Sequence, residues 1–356
     1  MPKPPDRSGN GDAIPRLSFD RFAVACQLLP VIAVLAALSV TACSNPPRPP
    51  RWQRLDLPTA ELRDVADCGD RWIAAGTRLG APAAWTSTDG TAWQSLEFVP
   101  LPAGYYGPRQ VITSVACAGG RVAMVGAVPG GAHGNPRVST WRLDHGRMLE
   151  NAAPFETYGG DQAVDVGPIA AGPDGFGIAG NRTSGAAGWT SPDGRVFTLH
   201  DGRAGKGTLA RAAVVMPDGR WAVAGGTPIA GSLAERASLW LLPAWERADP
   251  PAAAGFNEIQ RVVRDGDDLV AAGARGTSFG TWRWHAGAWT EGPAFGGDPA
   301  GARSLAVAGG RVLVAGGGGL WIDGRPAAGP GRAVAVAGRG TTVLLAADNG
   351  LWRTRL

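Results

Sequence analysis

The chain has almost no lysine. Only Lys3 and Lys206 occur in 356 residues, so nearly all of its positive charge is arginine, in line with GC-rich coding. Its 34 Lys+Arg against 30 Asp+Glu leave a net charge of +4. No basic run interleaved with aromatics occurs, so nucleic acid is not an expected partner. Histidine is scarce as well. His133, His145, His200 and His285 lie far apart, and neither they nor the 4 cysteines match a zinc-ligand spacing. Asp265-Gly266-Asp267-Asp268 lacks the bidentate Glu of a calcium loop and reads as a hairpin turn. No Gly-rich phosphate cradle precedes a helix and no nucleophile elbow is present. Nothing in the sequence calls for a cofactor or a metal. What is abundant excludes long helices: 54 Gly and 29 Pro make up close to a quarter of the chain. Each interior Gly costs a helix roughly 1 kcal/mol and each Pro about 3. Spaced among Val, Ala, Leu and Trp, they describe a turn-rich, mostly β globule rather than a disordered chain.

Long apolar runs are absent except for one, the 19 residues from Phe22 to Val40. Lys3, Arg7, Arg16 and Arg21 precede it and small residues follow it, the pattern of a secretory signal. Its tail, Val40-Thr41-Ala42-Cys43, resembles the lipobox of bacterial lipoproteins. That resemblance implies a signal peptide over residues 1–42 and lipidation of Cys43 as the first mature residue. Residues 43–50, rich in proline, then form a stiff polar tether. The alternative is an uncleaved anchor, since 19 apolar residues just span a bilayer. Either reading places the body of the protein at the cell membrane, on its extracytoplasmic face.

One phrase recurs seven times over residues 51–356: a short apolar strand, a Gly/Asp turn, then a small-residue strand usually ending in Gly. The copies run from Leu62 to Gly76, Ile112 to Gly126, Val166 to Gly180, Ala210 to Gly225, Ile259 to Gly273, Ala302 to Gly316, and Gly331 to Ala347. Each is followed by a strand with one Trp, at 85, 141, 189, 240, 282, 321 and 352. The unit is about 44 residues long, which matches a four-stranded propeller blade. The expected fold is therefore an all-β, seven-bladed β-propeller. Its inner strands crowd the axis with Ala, Gly and Val, and the Trp fills the wider outer gap. The seventh copy is one strand short. Arg51 to Leu57 supplies a spare strand that would complete the last blade and close the ring. Cys68 and Cys117 sit at nearly equivalent points of the first two copies. An even pair outside the cytoplasm is expected to form a disulfide pinning two blades, with two buried thiols as the alternative.

Ser87-Thr88-Asp89-Gly90-Thr91-Ala92-Trp93 resembles the Asp-box of sialidase-type (BNR) propellers, and Ser191-Pro192-Asp193-Gly194-Arg195-Val196-Phe197 is a weaker copy. The resemblance implies the fold, with Asp89 and Asp193 holding turns and the Trp packing beneath. It also raises a sialidase-type glycoside hydrolase as the alternative function. That chemistry needs a nucleophilic Tyr with an activating Glu, and only Tyr105, Tyr106 and Tyr158 are present. Glu258 is the one acid positioned to be weighed as a partner. The family's Arg-Ile-Pro motif is missing. The favoured reading is a membrane-tethered binding or assembly module, with an envelope protein or a small anionic or glycan ligand as its partner. Loops carrying Tyr105-Tyr106-Gly107-Pro108-Arg109, Phe155 to Asp161, Phe256-Asn257-Glu258 and Gly130 to Arg137 open on one rim. Aligning the inner strands gives a column at that rim: Arg63, Thr113, Gly167, Arg211, Gln260, Arg303, Arg332. Arg63, Arg211, Gln260, Arg303 and Arg332 are thus the candidate binding residues. Converging guanidinium groups need an anion or acidic neighbours such as Asp64 or Asp165 among them.

Cys43→Ser should leave an unprocessed precursor that takes up no acyl label. Normal labelling of that variant in metabolic incorporation experiments would contradict the lipidation site.

Overall fold

The computed structural model describes residues 49–130, 134–296 and 301–356. The signal segment, Cys43, most of the tether and His133 lie outside the described residues.

The small-residue phrases fold as antiparallel hairpins, and seven sheets result. Their innermost strands are Glu61–Asp67, Val111–Ala118, Ala163–Gly172, Leu209–Val215, Asn257–Asp265, Ala302–Ala308 and Ala333–Arg339, which define blades 1 to 7. All seven line one central channel. The Trp-bearing strand is third in every blade. Each Trp stands in the same register, as in the rows Val65–Ala74–Trp85 and Val262–Ala271–Trp282. Trp85, Trp141, Trp189, Trp240 and Trp282 are fully buried between sheets. A blade has two apolar faces and can bury them only against its neighbours, so these rings carry much of the ring's cohesion.

Two strands depart from the simple repeat. The outer strand of blade 1 is only Gln94–Ser95. The chain then crosses over, and Glu97–Val99 adds a fifth strand to blade 2, parallel to Arg147–Glu150. The crossing is driven by packing: Leu96 and Phe98 enter the core between blades 1 and 2, and Phe98 meets Trp141 edge-on at 5.1 Å. At the N-terminus, Gln53–Arg54 pairs with Arg353 and Trp352 as the outermost strand of blade 7. Leu55 N–H donates to Leu351 O, and Thr354 Oγ1 donates to Arg51 O, so the contact runs beyond the ladder.

Inner strands start at one rim, here the upper rim, and end at the lower one. Cys68 and Cys117 form a disulfide at the lower rim, with Cα atoms 5.1 Å apart. By closing a loop between blades 1 and 2 it constrains the unfolded chain by roughly 2–4 kcal/mol. The Asp89 turn lies on the same rim. The carboxylate accepts from Ser87 Oγ and from the Thr91 and Ala92 N–H groups, while Trp93 packs half-buried against the core. The Thr91 hydroxyl also donates to the carboxylate at 2.6 Å, and this bond, ahead of the N–H bonds, holds the Asp89 carboxyl well below the usual range. Asp193 and Ser191 repeat the turn.

The Gly repeated towards the end of the second strand in six blades has a specific cause. Every inner strand carries a β-bulge, with one extra residue between Leu62 and Asp64, Ile112 and Ser114, Ala210 and Ala212, Ile259 and Arg261, Ala302 and Ser304, and Ala333 and Ala335. In blade 3 two irregularities occur, between Ala163 and Asp165 and between Val166 and Ile169, the second at the place equivalent to the other bulges. The Gly pairs with the residue just before the bulge. There the inner strand's backbone comes so close that a Cβ on Gly225 would lie 1.8 Å from Leu209 O, and one on Gly273 would lie 1.9 Å from Glu258 O. Only glycine permits that approach.

Candidate functional site

A bulge re-aims the residues around it, and six of the seven positions in the predicted column are the bulge positions themselves. Arg63, Thr113 and Arg303 line the upper part of the central channel, a cavity of about 620 Å³. Arg63 forms a largely exposed pair with Glu61 at 2.9 Å. Such a pair is worth at most about 1 kcal/mol and exchanges readily for a ligand. Arg303 has no carboxylate within 4.0 Å among the described residues.

Arg211 and Gln260 are engaged elsewhere. Arg211 Nε donates to Glu258 Oε1 at 2.8 Å, and Gln260 Nε2 donates to Glu258 Oε2 at 3.1 Å. Gln260 Oε1 also accepts the Ala302 N–H at 2.8 Å, which ties blade 5 to blade 6. Glu258 is buried. Nearby, Glu235 has its carboxyl pushed up by burial and by the Glu258 charge, against the opposing pull of Arg211. Glu258 thus pairs with Arg211 and not with a tyrosine. Tyr158 is buried against Thr140 and its hydroxyl is held well above its ordinary pKa by that burial. None of the three tyrosines lines the channel.

Arg332 does not belong to the column. The bulge of blade 7 falls on Val334, two residues later. Ala333-Val334-Ala335-Val336 alternates so evenly that the strand fits two registers by sequence. Arg332 instead holds the start of the strand. Its N–H donates to Asp348 Oδ1 and its O accepts the Asp348 N–H, while its guanidinium lies exposed, 3.6 Å from the same carboxylate.

The residues that organise the site stand one place further on. Asp64, Ser114, Arg261 and Ser304 follow the bulge, face the channel and reach sideways to neighbouring blades. Asp64 Oδ2 accepts the Val115 N–H at 2.8 Å and the Ser114 hydroxyl at 3.1 Å. Ser114 Oγ accepts the Ile169 N–H, and Ser304 Oγ accepts the Val336 N–H at 3.0 Å. In all three cases the donor is the same residue of the next blade. Arg261 spans more: Nε donates to Arg303 O at 2.6 Å, and Nη1 donates to Gln260 O and Arg211 O. One guanidinium therefore joins the bulges of blades 4, 5 and 6. The signal in the sequence was a polar residue directly before the apolar core residue in four of seven copies.

Asp64 and Arg261 keep some surface open to the channel but lie deep in the protein mass. Burial pushes the Asp64 carboxyl up to about 6, against the N–H groups of Val115 and Val65, the Ser114 hydroxyl and the Arg261 charge. Burial likewise lowers Arg261 to about 10, with Asp64 opposing and the Arg211 charge adding to the fall, so it remains a cation at neutral pH. Arg63, Arg261 and Arg303 make the upper channel cationic.

No protein-family model matches the chain, and no curated protein matches it in sequence. Solved structures do match. The WD40 β-propeller domain of Doa1 aligns over 85% of this chain and 96% of its own, with 12% identity and a TM-score of 0.56. Virginiamycin B lyase from Staphylococcus aureus aligns over 86% of this chain and 99% of its own, with 14% identity and a TM-score of 0.58. A catalytically inactive variant of that lyase with quinupristin gives the same TM-score at 13% identity. Likeness at this identity establishes the propeller fold.

The folded state binds a proton at Asp64 more tightly than the unfolded chain, whose carboxyl titrates near 3.9. The stability this contributes is full below about pH 4 and is lost as pH rises through about 6. The lead of wild type over Asp64→Ala in unfolding free energy should shrink across that window, by at most about 3 kcal/mol. A lead that does not vary between pH 4 and 7 would contradict the assignment.

Proposed function

We propose that this propeller is a membrane-tethered, extracytoplasmic recognition module that takes a small anionic ligand at the upper mouth of its channel. The observation that carries this reading is the convergence of Arg63, Arg261 and Arg303 on one cavity. Arg261 is spent on backbone carbonyls and sets a fixed positive field. Arg63 and Arg303 stand above it on bulges, with donors that a carboxylate or phosphate would satisfy in bidentate fashion.

Two further features favour the upper rim as the recognition face. Leu79, Tyr105, Phe155, Val164, Ile229, Leu233 and Phe256 are exposed and all lie there, whereas of the large exposed apolar residues only Val196 lies at the lower rim, among the described residues. Exposed apolar residues gathered on one side of a molecule mark contact with a partner. The chain also enters the propeller at the lower rim, where Arg51 lies beside Thr354. The glycosidase alternative gains no support from the channel, where no tyrosine stands. The lyase likeness, at 14% identity, carries the fold alone.

Titration of the detergent-solubilised chain with inorganic phosphate and with citrate tests the reading. Each arginine donates charged hydrogen bonds worth about 1.5–3 kcal/mol, so Arg63→Ala with Arg303→Ala should weaken binding at least about tenfold. Added salt should weaken the wild type as well, because this field is screened beyond about 8 Å at physiological ionic strength. An affinity unchanged in the double variant would contradict the proposal.

A further inference from the structure

A second cavity, of about 390 Å³, opens on the upper rim between blades 2 and 3. Its construction begins with Glu150, at the end of a strand of blade 2. Oε1 accepts the Ser139 hydroxyl at 2.6 Å and Oε2 accepts the Leu101 N–H at 2.9 Å, so its charge is tied into the floor. The loop from Pro100 to Gln110 rests directly on that carboxylate. A Cβ on Gly107 would lie 2.1 Å from Glu150 Oε2, so any larger residue where the loop crosses would have to displace the carboxylate. The facing wall is the single helical turn Phe155–Tyr158. Trp189 Nε1 fixes that turn by donating to Thr157 O at 2.7 Å. Both walls are therefore held by buried groups and not by their own loops alone.

Between the walls lies Arg137. Its guanidinium carbon is 4.8 Å from the centroid of the Phe155 ring and 5.8 Å from that of Tyr106. Tyr105 meets Tyr106 edge-on at 5.1 Å and extends the aromatic lining outwards. Arg137 Nε is buried with no hydrogen-bond partner, and no carboxylate lies within 4.0 Å of the group among the described residues. A cation held against aromatic faces gains from the ring quadrupoles, but its N–H donors point in its own plane and are not satisfied by them. Meanwhile Phe155 and Tyr105 remain 57% and 65% exposed. Unpaired guanidinium donors and exposed aromatic faces thus meet in one cleft of small-molecule size.

We propose that this cleft binds a six-membered ring bearing a carboxylate. The ring lies against Phe155 and Tyr106, and the carboxylate takes the donor fork of Arg137 in bidentate geometry. A bare inorganic anion would leave the aromatic faces wet, and a neutral ring would leave Arg137 unanswered. Two sources carry this chemistry, a uronic acid unit of an acidic glycan and an aromatic carboxylate. The site is separate from the channel mouth and does not depend on the reading given to it.

The experiment is calorimetric titration of the full chain with four probes: digalacturonate, phenylacetate, and their neutral counterparts α-1,4-galactobiose and phenylethanol. One of the two carboxylates should bind at least tenfold more tightly than its neutral counterpart, and which one does so identifies the source. Arg137→Gln should weaken that binding at least tenfold, and Phe155→Ala, at an exposed position where folding is not at stake, should weaken it severalfold. Arg63→Ala with Arg303→Ala should leave it unchanged, which separates this site from the channel. The inference is overturned if neither carboxylate binds, if the neutral probes bind equally well, or if Phe155→Ala and a folded Arg137→Gln both bind as wild type does.

Discussion

The structure turns on the close approach of two backbones. In six blades the inner strand bulges where the second strand carries Gly; in five of them a backbone carbonyl next to the bulge occupies the space a side chain would need, and in blade 2 the Gln110 side chain fills it beside Gly126. This contact does two things at once. It lets the inner strand bend towards the axis, so that seven strands can share a narrow channel without their side chains colliding. It also shifts the side-chain alternation by one place, so the upper residues of each inner strand face the channel and not the sheet interior. Blade 7 bulges as well, between Ala333 and Ala335, but there Ala347 stands opposite, and backbone and side-chain bonds between Arg332 and Asp348 add to the hold on the strand start.

Once the bulge is in place, the residue after it can reach the next blade. Asp64, Ser114 and Ser304 each accept an N–H from the adjacent inner strand, and Arg261 donates to the carbonyls of three bulges. Sheets in a propeller are joined chiefly by apolar packing, which has no directional preference. These polar bonds fix the rotation of one blade against the next near the axis, where the apolar layer is thinnest. They also explain how a chain can keep Arg261 buried. Its guanidinium is shared among carbonyls, and Asp64 and Glu258 balance its charge. The functional arginines are thus presented by a frame that is itself polar.

Much of this was legible in the chain. The seven Trp positions fall on one register because each fills the same gap between sheets, and a feature repeated for a packing reason survives as a repeat. The Gly column was legible for the same reason, although its cause, a bulge, leaves no mark of its own. The column of Arg63, Arg211, Gln260 and Arg303 was found by alignment, but alignment says nothing of side-chain partners, and Arg211 and Gln260 turned out to serve Glu258. Blade 7 slipped by two because alternating Ala and Val fit either register. The column after the bulge was passed over because it is chemically mixed: an acid, a hydroxyl and a guanidinium do the same job, while Pro168, Ala212 and Ala335 do none of it. The aromatic cleft was half visible. Its loops stood out, but only the fold brings Arg137 between Phe155 and Tyr106.

In blades 1, 3, 4, 5 and 6 the Gly column exists because the bulged backbone leaves no room for a Cβ. The unfolding free energy of Gly273→Ala measures this most directly. In an ordinary strand alanine is favoured over glycine by roughly 0.5–1 kcal/mol. Here the added Cβ would meet Glu258 O at 1.9 Å and Gln260 N at 2.8 Å, both of them backbone atoms that cannot step aside singly. Gly273→Ala should lose about 1–3 kcal/mol of stability, the usual range for overpacking. Equal or greater stability of Gly273→Ala would contradict it.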